Sequence, residues 1–246
     1  AKRARTMAAI VGPAAKRRRT GDAGGGDDGT FEACRRWVHE QGGHVDPSLV
    51  VGFDDATGCR GLFASSPIEA SAVLLRLPRK CLLFSKETTW FKALKGLGSA
   101  ASVLRHSLSD VGLGLQLIEE HKGAAKSTAG RSEGAAGDYS FFTPYARTLP
   151  GPLDFEGSLP AWWTEEEREA LAGSPLLHTV RAQLAALEED YATLAGHVGA
   201  GKGDGTGGLL GALGFPFPVS LREFMWGMAL VTSRTIGGDD GEGEGE

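Results

Sequence analysis

Little in this chain could hold a metal ion, staple a small core or cross a membrane. Its three cysteines, Cys34, Cys59 and Cys81, fall at no C-x-x-C spacing and have no paired histidines beside them. That argues against a zinc site and against a disulfide framework, and reduced, intracellular thiols are the simpler reading. No run approaches 18 apolar residues, so no transmembrane helix and no membrane partner are expected. Acidic side chains are missing from residues 1–20, which hold seven basic ones: Lys2, Arg3, Arg5, Lys16, Arg17, Arg18 and Arg19. The remaining 226 residues carry 19 basic against 31 acidic, a net of −12, so direct nucleic-acid binding is not expected from the body.

What is present is ordinary for a globular protein: 246 residues, 41% hydrophobic and 23% charged, enough for one or two domains. The 37 glycines are many, and the excess sits in three patches, 21–29, 123–137 and 196–214, that read as loops. Lys2-Arg3 followed twelve residues later by Lys16 to Arg19 has the form of a bipartite nuclear import signal, which would engage an acidic receptor groove. An acid-free, Arg- and Ala-rich start also fits a chloroplast or other organelle transit peptide, or a solvated tail on a cytoplasmic protein. Met7 lies inside the tail, so the true start is open.

Phe31, Cys34, Trp37 and Val38 recur at helical spacing, and Gly42-Gly43 stops them, which predicts a short packing helix over 31–41. His39 and His44 read as solvated neighbours of that stop rather than as ligands. Four β-branched or aliphatic runs then predict strands of a small sheet: 50–53, 60–64, 73–77 and 81–84. Pro78 forces Leu77 into an extended conformation and makes Arg79-Lys80 the turn between the last two. Gly58 and Gly61 bracket Cys59-Arg60, a spacing that can bring backbone N–H and C=O groups against a ligand with no Cβ in the way. An ordinary meander would show the same glycines.

The middle is helical. Thr164 with Glu167, and Ser220 with Glu223, are capping boxes. Val180, Leu184, Leu187, Tyr191 and Leu194 place one apolar stripe along a helix over 176–195, too few heptads for a sustained coiled coil. Phe224, Met225, Met228 and Val231 mark a last core-facing helix. Residues 196–203, GHVGAGKG, nearly spell a phosphate loop, yet Gly203 stands where a hydroxyl should bind Mg²⁺ and a helix precedes the motif where a strand is needed.

The order of these features carries a family resemblance. RGLFA (60–64), the Ile68 entry and VLLRLPRKCLLF (73–84) closely resemble the opening of the SET domain in methyltransferases of the RuBisCO large-subunit methyltransferase type. SDVGLGLQLIEE (109–120) resembles the family's first insert helix. YSFFTPYARTLP (139–150), the segment 162–171 and FMWGMALVTSR (224–234) are similar to its "S-F-W-x-P-Y-x-x-x-L-P", "P-x-x-W-x-x-E-E-x-x-x-L" and "F-x-W-A-x-x-x-V-x-S-R" segments. FEACRRWVHEQGG (31–43) fits the helix that precedes the first strand, and the resemblance covers roughly 31–236.

The fold it implies is α+β: the N-terminal strands of a SET-type sheet over 31–84 and a mainly helical insert over 85–236, between a disordered basic tail at 1–30 and a disordered acidic tail at 237–246. The activity it implies is AdoMet-dependent protein-lysine N-methylation, with a protein carrying a target lysine as partner and S-adenosyl-L-methionine as cofactor. The cofactor edge maps onto Gly58, Cys59, Arg60 and Gly61, and Ser233 and Arg234 map onto the substrate pocket. Arg234 is also placed to neutralise a helix C-terminus. Cys59 departs from the family by replacing the first glycine of G-x-G. The family's Asn-His motif and catalytic tyrosine have no counterpart in 237–246, and no tyrosine follows Tyr191. The SET domain is therefore expected to be incomplete, with no catalytic residue in this chain, which is expected to be inactive alone; a non-catalytic, SET-derived interaction module is the alternative.

Overall fold

In the computed structural model the described residues are 29–54, 60–128, 140–156, 159–196 and 208–235. The fold is mixed α+β, dominated by helices, with two small antiparallel ribbons. The tails, the P-loop-like stretch after Gly196, and both Gly58 and Cys59 lie outside the described residues.

Helix α1, Thr30–Glu40, buries Trp37 and Val38. It stops where expected: Gly42 takes φ 87° and Gly43 N–H donates to Val38 O at 2.9 Å. A Cβ on Gly43 would lie 2.8 Å from both Arg76 O and Pro78 Cδ, so only glycine lets the helix end meet the strands this closely. Strand β1 (His44–Val45) pairs with β4 (Leu75–Arg76), while β2 (Leu49–Phe53) pairs with β3 (Arg60–Ala64) in the register Leu49 to Ala64, Gly52 to Gly61. Arg35 on α1 donates to Leu49 O and so ties the helix to the start of β2. Trp37, Val38, Val45 and Leu49 form a small cluster, joined by Cys34, Cys81, Phe142 and Tyr145.

The expected four-stranded sheet does not form. Residues 73–77 yield only the two-residue β4, and 81–84 yields no strand. Pro78 has no N–H for a ladder, and its carbonyl instead accepts from Cys81 N–H at 2.8 Å, curling Arg79–Cys81 into a 3-10 turn.

The larger core is built on α3, Leu108–Thr128, which is buried from Val111 to Leu115 and again at Leu117 and Ile118. Helix α2 (Thr89–Gly96), capped by the Thr88 hydroxyl, crosses it at Gly112, where a Cβ would stand 2.5 Å from Phe91 N. Helix α8 (Leu221–Arg234) crosses it at Gly114 and Gly227; a Cβ on Gly227 would be 2.8 Å from Gly114 O. Backbone thus meets backbone on two sides of α3. Trp226 of α8 fills the gap beside this contact and donates its Nε1–H to Pro150 O at 2.8 Å.

The shorter helices are α4 (Thr143–Ala146), α5 (Glu165–Glu169) and α7 (Gly208–Ala212). The long α6, Pro175–Ala195, packs on α7 and α8. Both expected capping boxes form, at Thr164 with Glu167 and at Ser220 with Glu223. Two stretches expected to be glycine-rich loops are partly helical: α3 runs on through Gly123 to Thr128, and α7 lies within 196–214.

Candidate functional site

Four regions hold the residues to which sequence reasoning assigned a role, or should have. The first is the β2–β3 ribbon. Ser65 N–H donates to Ser48 O at 2.8 Å, which makes Ser48 and Ser65 a hydrogen-bonded pair. Alternation along an antiparallel ladder then gives Gly52 and Gly61 the same status, so both main-chain groups of Gly61 point inward. The groups directed to the outer edge of β3 belong to Arg60 and Leu62. The face of Gly61 that lacks a Cβ is not open either, because Phe63 lies across it, with its Cε2 3.5 Å from where a Cβ would be and its Cδ2 3.1 Å from that point on Gly52. Glycine here makes room for an aromatic ring of the same ribbon. The residues present therefore fit a ligand that reads the β3 edge through the backbone at Arg60 and Leu62, not one seated on the glycine face.

The second region is the end of α8. Ser233 and Arg234 are exposed in its last turn, and Ser233 Oγ donates to Ala229 O at 2.6 Å, a bond back into its own helix. Arg234 is the basic residue of that turn, placed to neutralise the C-terminal carbonyls. It also lies within electrostatic reach of Tyr145, whose hydroxyl burial pushes above its ordinary value while Arg234 pulls it back. Tyr145 packs against both the large core and the small cluster from which β2 departs. The cluster that holds Leu49 thus includes one residue that feels the charge at the α8 end. Gly52, paired with Gly61, lies three residues along β2 from Leu49, roughly 10 Å further on.

Tyr145 was missed as a site residue. Its sequence signal was the "P-Y" of the 139–150 segment, but nothing there shows that α4 would place the ring between the large core and the small cluster. The same cluster takes in Cys34 and Cys81. Burial raises both thiols, and Lys80 only partly offsets this at Cys81.

The third region is an open groove of about 580 Å³ beside the 3-10 turn, between Arg79, Lys80, Leu82 and Phe84 on one wall and Gln116 and Phe142 on the other. Arg79 is held over the Phe84 ring at 4.0 Å and tied to Glu87 at 2.5 Å. Gln116 shares its Nε2 between Glu119 at 3.3 Å and Glu120 at 3.0 Å. Burial pushes Glu119 upward, opposed by the Trp90 indole that donates to it.

The fourth is Asp190 on α6, fully buried, which accepts from Arg105 N, His106 N and His106 Nδ1 at 2.5, 3.0 and 2.6 Å. Three donors satisfy this carboxylate and fix the loop that leads into α3. That is a structural clamp. Among the described residues no three His, Cys, Asp or Glu side chains converge as metal ligands, and no helix is long and apolar enough to cross a membrane. Compared with protein-family models, with curated proteins and with solved structures, the chain matches none of them.

Proposed function

We propose that residues 31–236 are the opening strands and helical insert of a SET-type, AdoMet-dependent protein-lysine N-methyltransferase. The observation that carries this reading is that Tyr145 packs both on the large core, to which α8 belongs, and on the cluster that launches β2, with Arg234 at the end of α8 within electrostatic reach of it. The resemblance requires the end of α8 and the β2–β3 ribbon to border one site. S-adenosyl-L-methionine would supply the methyl group. The chain's own contribution is the β3 edge, where the main-chain groups of Arg60 and Leu62 would bind, with Gly58 and Cys59 next in sequence. Arg234 and Ser233 would then orient groups on the substrate side. A protein with a target lysine is the partner class, and the basic residues 2–19 address the chain to the nucleus through an import receptor.

Trp37 Nε1 and Arg35 Nε are buried at this end of the molecule without a hydrogen-bond partner. Amide NMR of the 246-residue chain titrated with AdoMet is the test. Shift changes confined to 58–62 are expected, and shifts that leave 58–62 untouched would overturn the assignment.

A further inference from the structure

We propose that the outer edge of β4, with the strip 73–82 around it, is a docking edge for an extended polypeptide strand that alternates apolar and acidic side chains. Val73, Leu74, Leu75, Leu77 and Leu82 are between 38% and 59% exposed, a concentration of bare aliphatic surface that soluble chains rarely leave uncovered. β4 is paired on one side only, with β1, where Asp46 N–H also donates to Leu74 O. Among the described residues the other side of the strand carries no ladder. A two-stranded ribbon is marginal by itself, and a third strand would both extend the ladder and cover the leucines.

Charge selects the occupant. Arg76 and Lys80 are exposed and form no ion pair among the described residues, whereas Arg79 is committed to Glu87. The strip is therefore basic on a body whose net charge is −12. Leu75 shares a face with its partner Val45, so Val73 and Leu77 lie on that face and Leu74 and Arg76 on the opposite one. A matching strand places apolar side chains beside Val73, Leu75 and Leu77 and a carboxylate beside Arg76. A second copy of this edge would set cation against cation, and a lipid surface would leave the edge N–H and C=O groups without partners in hydrocarbon. An acidic strand meets neither penalty. The inference stands on the β4 edge and is independent of methyl transfer.

The experiment uses the full chain and a capped decapeptide alternating valine and glutamate, followed by fluorescence polarisation and by hydrogen exchange at the amides of Leu75 and Leu77, which face away from β1. Saturable binding with protection of those amides is expected. Binding should weaken about tenfold in the double variant Arg76→Glu, Lys80→Glu, since the pair at Arg76 becomes like-charged and the nearby cation of the strip is reversed. That variant should instead take up the peptide carrying lysine for glutamate, which a misfolded protein would not do. A peptide N-methylated along one edge should fail to bind. No binding of the glutamate peptide, or equal binding of the lysine peptide to the unaltered chain, overturns the proposal. So does protection of the same amides by anionic phospholipid vesicles, or by self-association in sedimentation, when the peptide gives none.

Discussion

Two glycines on α3 make opposite demands although both sit in the interior of one helix. At Gly112 a Cβ would drive into the Phe91 backbone at 2.5 Å, and backbone cannot rotate away as a side-chain tip can. At Gly123 nothing lies within 4 Å, and the residue adds only the conformational freedom that weakens a helix. Gly112→Ala is expected to destabilise by roughly 2 kcal/mol or more through overpacking, which lowers Tm by about 4–8 °C in a chain of this size. Gly123→Ala is expected to stabilise by about 0.5–1 kcal/mol. Thermal unfolding followed by circular dichroism separates them, and the same sign for both would show that the α2–α3 contact is not backbone-limited.

Among the elements, the joint of α3, α4 and α8 is one that proton concentration can loosen. His121 of α3 packs on Trp226 of α8 with ring centroids 4.7 Å apart. Burial pulls its pKa below the ordinary 6.5; the Ala146 carbonyl of α4 and then Glu223 of α8 oppose this, and Lys122 adds to it. The folded state thus takes up the proton less readily than the unfolded chain. Stability from this group is undiminished above about pH 6.5, where the ring is neutral in both states, and falls as pH drops below that value. Urea unfolding between pH 8 and 5 should show the decline, and His121→Gln should flatten it relative to the unaltered protein. An identical slope in both would place the proton-sensitive group elsewhere.

These joints also show what the sequence could tell. Helices α1, α5, α6 and α8 were legible because caps, stops and apolar stripes are local properties. The strand over 81–84 was misread because its aliphatic run has the right composition, while the outcome turned on Pro78 O capturing Cys81 N–H. On α6 the stripe of Val180 and Leu194 is local, whereas the burial of Asp190 depends on the distant loop at Arg105-His106 that donates to it. At the candidate site, the sequence shows Gly61 but not its surroundings. Its main chain is engaged by Gly52 and its open face by Phe63, partners fixed only by the register of the ladder.

At the scale of the whole molecule, the two cores are unequal, and their difference predicts how the chain opens. The larger holds 18 buried hydrophobic residues around α3, whereas the smaller holds four: Trp37, Val38, Val45 and Leu49. At about 1.5–3 kcal/mol for each large apolar side chain buried, the small cluster cannot match the helical one. It also contains two unpaired buried polar atoms, which subtract further from its stability. Tyr145 and the Phe141–Phe142 pair, whose rings meet Trp37 at 5.3 and 6.1 Å, are what fasten it to the helices. Local opening should therefore begin at β2–β3 and leave α3 and α8 intact. Native-state hydrogen exchange is expected to show the amides of 49–53 and 60–64 exchanging through a smaller opening free energy than those of 111–118. Truncating the fastener by Phe142→Ala should lower protection in the ribbons while leaving that of 111–118 nearly unchanged. Equal protection in both regions, or a parallel loss in both on truncation, would mean that the ribbons and the helices unfold as one cooperative unit.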